Sequence, residues 1–207
     1  MKKVLLAGLA TGLLVAAMVG SANANLIQNG SFEDDVIANG YVIYPTGITG
    51  WNTIDGRGIE IQRHVAGEPY DGHQFVELDS YNNSAMEQVV STVLGQSYTL
   101  QFAYSPRPNV GSASNFIDVL WNGVSLTADA GITGDGGKAT LWSLMDFTVT
   151  GTGGSDSLVF LADGTSDSLG GYLDAVTLNA TVPEPATMLL FGTGIAGLAA
   201  FGRRKRN

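Results

Sequence analysis

The chain of 207 residues contains no cysteine. Thiol catalysis and Cys-ligated zinc are excluded, and no disulfide can staple the fold even in an oxidising compartment. Histidine is nearly absent: His64 and His73 are the only two, and their spacing matches no helical metalloprotease motif. No G-x-S-x-G nucleophile elbow occurs. Positive charge is scarce in the middle of the chain. Lys2, Lys3, Arg203, Arg204, Lys205 and Arg206 sit at the two ends, so Asn25 to Thr181 keeps only Arg57, Arg63, Arg107 and Lys138. Against these four stand eighteen acids, a formal charge of −14. Such a surface repels nucleic acid, which is set aside as a partner. It favours cations, neutral glycans, or acidic polymers bridged by divalent ions. There is also no long amphipathic helix, no heptad pattern and no obvious repeat.

What is present begins with two apolar ends. "MKKVLLAGLATGLLVAAMVGSANA" has a basic start, an apolar run from Val4 to Val19 and a small-residue cleavage site, Ala22-Asn23-Ala24. That is the pattern of a secretory signal peptide, so residues 1–24 are expected to be removed after Ala24. At the other end, Ala186 to Gly202 carries no charge over 17 residues. As a helix it would span about 26 Å, slightly less than the bilayer core. A core helix has a polar face, and this run offers only Thr187 and Thr193. The basic cluster behind it would stay on the cytoplasmic side, leaving the folded domain outside.

Pro183-Glu184-Pro185, an apolar run and a short basic cluster follow one another over Val182 to Asn207. This three-part tail resembles the PEP-CTERM sorting signal. The resemblance implies a temporary inner-membrane anchor facing the periplasm. It also implies processing near Pro183, Glu184 and Pro185 by an exosortase-type membrane peptidase, and delivery to the cell surface or extracellular matrix.

Residues 25–181, between the two signals, are long enough for one domain with a real core. Period-two alternation dominates them. Tyr98, Leu100, Phe102 and Tyr104 share one face of "YTLQFAY"; Ile59, Ile61 and Val65 alternate with Glu60, Gln62 and His64. Ile117, Val119 and Trp121 form a third set, and Met145, Phe147 and Val149 a fourth. These are half-buried strands, separated by clusters of Gly, Asn, Asp and Ser such as "TGDGGKA" and "TGTGGSDS". The expected fold is all-β, a single jelly-roll-type β-sandwich, with an immunoglobulin-like sandwich as the alternative.

Three stretches, "NLIQNGSFE", "GQSYTLQFAYSPR" and "GGYLDAVTL", occur in order across Asn25 to Leu178. Together they resemble the galactose-binding-like jelly rolls, a superfamily with many carbohydrate-binding modules. Such modules often carry a second acid after the first in the closing strand, where this chain has Ala175. Asp174 has the strand parity of Tyr172, Val176 and Leu178; either that face is the core, or Leu173 and Ala175 mark it. An inward carboxylate needs a partner, and cations are few. In the jelly rolls resembled, a structural calcium joins the Glu of the opening motif to the first Asp of the closing strand. Glu33 and Asp174 match those positions, so the resemblance implies one Ca2+ tying the first strand to the last, with Asp34 and Asp35 as solvated neighbours.

For ligands, the residues point to sugar rather than to catalysis. Glycan sites use aromatic faces and a few polar groups for hydroxyls. Trp142 has the opposite parity to Met145, Phe147 and Val149, so it is expected on the outer face. Arg107 lies in "SPRPNVGSASN", a loop long enough to shape a site. Trp51 fits core or surface. No carboxylate pair stands out among so many acids, so no catalytic residue is assigned. The expected protein is an exported, non-enzymatic surface protein whose sandwich binds polysaccharide. The alternative is a structural matrix protein without a small ligand, or, further off, a glycan-active hydrolase.

Overall fold

The computed structural model of the protein describes residues 24–128 and 130–181. The expected signal peptide before Ala24, the apolar run from Ala186 to Gly202 and the Pro183-Glu184-Pro185 motif lie outside the described residues. Among the described residues no helix is long and apolar enough to cross a membrane.

The chain folds into twelve strands: β1 (Gly40–Tyr44), β2 (Gly47–Ile48), β3 (Trp51–Asp55), β4 (Ile59–Arg63), β5 (Phe75–Glu77), β6 (Ala85–Ser91), β7 (Ser97–Ser105), β8 (Ile117–Trp121), β9 (Val124–Ser125), β10 (Ser143–Thr150), β11 (Ser155–Ala162) and β12 (Tyr172–Ala180). They pair into two six-stranded sheets, β1-β4-β5-β12-β7-β10 and β2-β3-β6-β11-β8-β9. The fold is a jelly-roll β-sandwich, as expected. Alternation explains it: Leu100 and Phe102 of the first sheet face Val119, Leu158 and Phe160 of the second, all without exposed surface. Trp51 belongs to this core, with its ring 6.0 Å from Phe32 and 5.9 Å from Phe160. Trp121 is buried as well. Asn122-Gly123 turns β8 into β9 with both residues at positive φ, which is why a short polar residue and a glycine stand there.

The opening segment is stitched to the closing strand. Leu26 N–H donates to Leu178 O, and Val176 N–H to Gly30 O. A Cβ on Gly30 would lie 2.0 Å from the Val176 carbonyl oxygen, so only glycine fits. In β12 the pairing with β7 shifts register between Asp174 and Thr177, and Ala175 has φ 50°. This bulge corrects the parity argument. Leu173 and, beyond the bulge, Val176 and Leu178 all join the inter-sheet core, while Tyr172 and Asp174 lie on the opposite face of the sheet.

Candidate functional site

That opposite face of the first sheet is the unusual one. Cross-strand register lines up Ile43, Glu60, Glu77, Tyr172 and Ser105 in one row. Tyr41, Gln62, Phe75, Asp174 and Ala103 follow from the pairings as the next row. An outer face of a sandwich is ordinarily wet and polar. Here Glu60, Gln62, Phe75, Glu77, Tyr172 and Asp174 are all buried, because loops fold back over them. The expectation of solvent-facing polar residues along β4 therefore holds for His64 alone, which is exposed and pairs with Glu68 at 2.8 Å.

Carboxylates hold those loops in place. Glu33 Oε1 accepts the amides of His73 (2.6 Å) and Gln74 (2.7 Å). Asp174 Oδ2 accepts those of Tyr70 (2.8 Å) and Asp71 (2.9 Å), and its Oδ1 that of Ala175. Asp79 Oδ2 accepts the amides of Asp167 (2.9 Å) and Ser168 (3.0 Å). Trp142 Nε1 donates to Glu68 O, with its ring edge-on to Tyr70 and Phe75. In a chain without disulfides, acids clamped on backbone amides serve as loop staples.

Beneath the loops lies a polar network. Gln62 Nε2 donates to both Glu60 Oε1 and Glu77 Oε2, and Arg107 forms an ion pair with Glu77 Oε2. Gly170 N–H donates to Glu77 Oε1 at 2.7 Å. Arg107 also sits 5.8 Å from the Tyr172 ring centre, a cation–π distance. Burial pushes the Glu77 carboxyl up to about 8; the Arg107 charge opposes that and the Glu60 charge adds to it. Burial also raises Glu60, against its hydrogen bond from Gln62.

Two clefts open on this network, and Arg107 lines both. The larger, about 600 Å³, lies between His64, Gly67, Glu68, Pro108, Lys138 and Thr140. The smaller, about 290 Å³, lies at the β1 edge between Tyr41, Glu60, Gln62, Ser80 and Tyr81. Arg107, expected from the sequence to shape a ligand site, lies between the two clefts. Trp142 is on the outer face as expected, yet it lines neither cleft and instead supports the loop carrying Glu68.

Glu33 and Asp174 do converge, on the single loop from Tyr70 to Gln74, and so link the two ends of the domain. They meet there through amides. Glu33 Oε1 and both oxygens of Asp174 are engaged by these amides. Among the described residues no three His, Asp or Glu side chains group in a way that would hold a metal. The donor set as arranged fits an amide clamp, not a calcium shell. Burial pushes Asp174 up to about 7, opposed by the amides of Asp71, Ala175 and Tyr70. Asp35 is not a free solvated acid either: it accepts from the Thr49 amide (2.8 Å) and from Asn29 Nδ2. Asp156, at the start of β11, likewise accepts hydrogen bonds from Thr92, Thr152 and Asn122.

Glu60, Gln62, Glu77, Ser80, Tyr41 and Tyr81 were not singled out as site residues by the sequence. The alternation "IEIQR" marks Glu60 and Gln62 as outward-facing, which is correct. That loops return to cover them is written in long-range contacts, which a local pattern does not carry.

Residues 181–206 match the family model described as the PEP-CTERM protein-sorting motif. The tail is that motif, and it marks the chain as an exported protein sorted through its C-terminus. Among solved structures the chain is similar to the Stig cyclase Fisc from Fischerella sp. TAU in complex with (3Z)-3-(1-methyl-2-pyrrolidinylidene)-3H-indole. That match has a TM-score of 0.55 and 16% identity, covering 79% of this chain and 100% of that one. It is also similar to a family 16 carbohydrate binding module-2 (TM-score 0.47, 20% identity, 74% and 99% covered). A third is CBM35 from Paenibacillus barcinonensis (TM-score 0.44, 20% identity, 69% and 99% covered). At 16% identity the likeness to the cyclase establishes a shared fold alone, so function has to be argued from the site.

Proposed function

We propose that this exported protein is a non-enzymatic carbohydrate-binding surface protein that holds polysaccharide, such as the exopolysaccharide of its own matrix, across the covered outer face of the first sheet. One observation carries the reading: a buried Glu60–Gln62–Glu77–Arg107 network lies where two clefts meet, on a face the fold does not need to fill with charge. A buried ion pair is a poor stabiliser compared with apolar packing, so its presence in a cleft favours a recognition role. The clefts combine apolar walls with a few convergent polar groups, as sugar sites do. After export the tail would be processed by an exosortase-type peptidase, and the domain would reach the surface or matrix.

Hydrolysis is the less favoured reading. Glu60 and Glu77 are cross-strand neighbours with raised carboxyls, which is how an acid–base pair begins. Both oxygens of Glu77 are nevertheless occupied, by Gly170 on one side and by Gln62 and Arg107 on the other. Glu77 is thereby held as a structural partner, which leaves Glu60 as the one acid of the pair lining the cleft.

The test is a glycan array with the full-length chain in a non-glycosidic detergent. Binding to at least one polysaccharide is expected, with no release of reducing sugar. Arg107→Lys should weaken it about tenfold or more, because a lysine lacks the planar fork that pairs with Glu77 and packs on Tyr172 between the clefts. Trp142→Ala should weaken it less, by loosening the loop that carries Glu68. A blank array would leave the domain a structural matrix protein.

Calcium at Glu33 and Asp174 is the proposal against which the amide clamp is set. With the clamp, the melting temperature should not move on addition of calcium or chelator. A rise with calcium that disappears in Glu33→Gln would restore the ion.

A further inference from the structure

We infer that the cleft at the β1 edge is a sugar subsite built for hydrogen-bond donors, and that it selects amino sugars over uronic acids. The inference rests on the reading that this sheet face binds glycan. Its starting point is the Gln62 amide. Nε2 donates to one oxygen of each of two acids, and the Glu77 oxygen also accepts from Arg107, so a flipped amide would set its own oxygen against theirs. Oε1 is thereby fixed on the other side, buried and without a hydrogen-bond partner, in a residue only 1% exposed. Ser80, 6% exposed, lines the same cleft, and its Oγ is likewise buried without a partner. Two buried, unpartnered oxygens in residues that line one cleft are costly unless a small shift of the lining lets a donor reach them.

The remaining lining completes the chemistry. Glu60 supplies a carboxylate from the cleft floor. The cation there, Arg107, is already committed to Glu77 and to the face of Tyr172. Tyr41 and Tyr81, which also line the cleft, are 60% and 66% exposed, far more than aromatic rings that serve a core. They suit the apolar face of a pyranose ring. A ligand with a stackable ring, several hydroxyl donors and an ammonium group satisfies every one of these groups. A carboxylate-bearing sugar would face Glu60 and stranded oxygens, inside a domain of net charge −14.

Titration calorimetry of the full-length chain would compare hexamers of glucosamine, N-acetylglucosamine and galacturonate at neutral pH and physiological salt. Glucosamine should bind tightest and galacturonate not measurably. Tyr81→Ala, on an exposed loop where folding is safe, should weaken glucosamine binding by up to about tenfold. Glu60→Gln, which keeps the side-chain shape, should narrow the preference for glucosamine over N-acetylglucosamine by about tenfold. Equal or stronger binding of galacturonate would overturn the inference. So would affinities unchanged in both variants, even if Arg107→Lys still abolished binding to another glycan, in which case the general reading would survive without the subsite. Failure of all three hexamers, with the array positive for another polymer, would have the same meaning.

Discussion

Arg107→Leu should lower the melting temperature by several degrees more near pH 9 than near pH 5. The reason is the fate of Glu77. Its carboxyl lies in the sheet face with 1% of the side chain exposed, and Arg107 is its one cationic partner among the described residues. Removing one member of a buried pair costs about 3–5 kcal/mol when the other stays charged. For a domain of this size each kcal/mol is worth about 2–4 °C. The pH dependence follows from the folded-state value of about 8, raised from the ordinary 4.5. A carboxyl raised in this way contributes stability that is fully present below 4.5 and is lost as pH rises through about 8. The wild type should therefore weaken over that interval. Without Arg107, the largest influence opposing burial, the carboxyl is raised further and the loss should continue to higher pH than in the wild type. Glu77→Gln in the Arg107→Leu background should flatten the profile, since no charge then remains to bury. Thermal melts across this pH range are the measurement. A variant equally destabilised at both ends would show that Arg107 acts through packing alone.

Gly30→Ala should be about as damaging, by a different mechanism. The added methyl would stand 2.0 Å from the Val176 carbonyl oxygen and 3.0 Å from its carbon, both backbone atoms that cannot swing away. The Val176–Gly30 hydrogen bond must then break, and with it the seam between the two ends of the domain. Overpacking of this kind costs about 1–3 kcal/mol and sometimes more. Here the lost backbone bond and the crowding of the Ile27 side chain, 3.2 Å from the added methyl, add to it. Gly154→Ala is the control: a methyl added there would meet nothing within 4 Å, and the φ of Gly154 is ordinary. Denaturant melts should find Gly30→Ala destabilised by about 3 kcal/mol and Gly154→Ala within about 0.5 kcal/mol of wild type. Equal stability of the two would mean that the opening segment is not held against β12 as described.

The class of fold was legible because it depends on nearest neighbours. Period-two alternation in "YTLQFAY" or "FIDVLW" names the buried face without knowledge of the partner strand, and turn residues such as Asn122-Gly123 punctuate the runs. The sorting tail was legible for the same reason. Its meaning lies in a linear order of Pro-Glu-Pro, apolar run and basic cluster, and residues 181–206 match the motif without any tertiary structure. Net charge and the lack of cysteine likewise belong to the chain itself.

The site was legible only in part. Arg107 was singled out because a charged residue sits in a long loop between strands, and the structure places it on the wall of both clefts. Trp142 was placed on the correct face by parity, but parity is silent about loops, and the loop it supports comes from residues more than seventy positions away. The role of Glu33 and Asp174 shows the same limit. The sequence established that a carboxylate at the head of the last strand needs a partner. Whether that partner is an ion or a row of amides depends on where Tyr70–Gln74 returns, and there the structure offers amides. The bulge at Ala175 finally decided which face of β12 is core, since one inserted residue reverses the parity of everything behind it. Local pattern determined the strands, the export signals and the charge. Only tertiary structure decided what covers the outer sheet face, because burial there comes from loops distant in sequence and held by hydrogen bonds to backbone, which leave no trace in the periodicity of the strands beneath them.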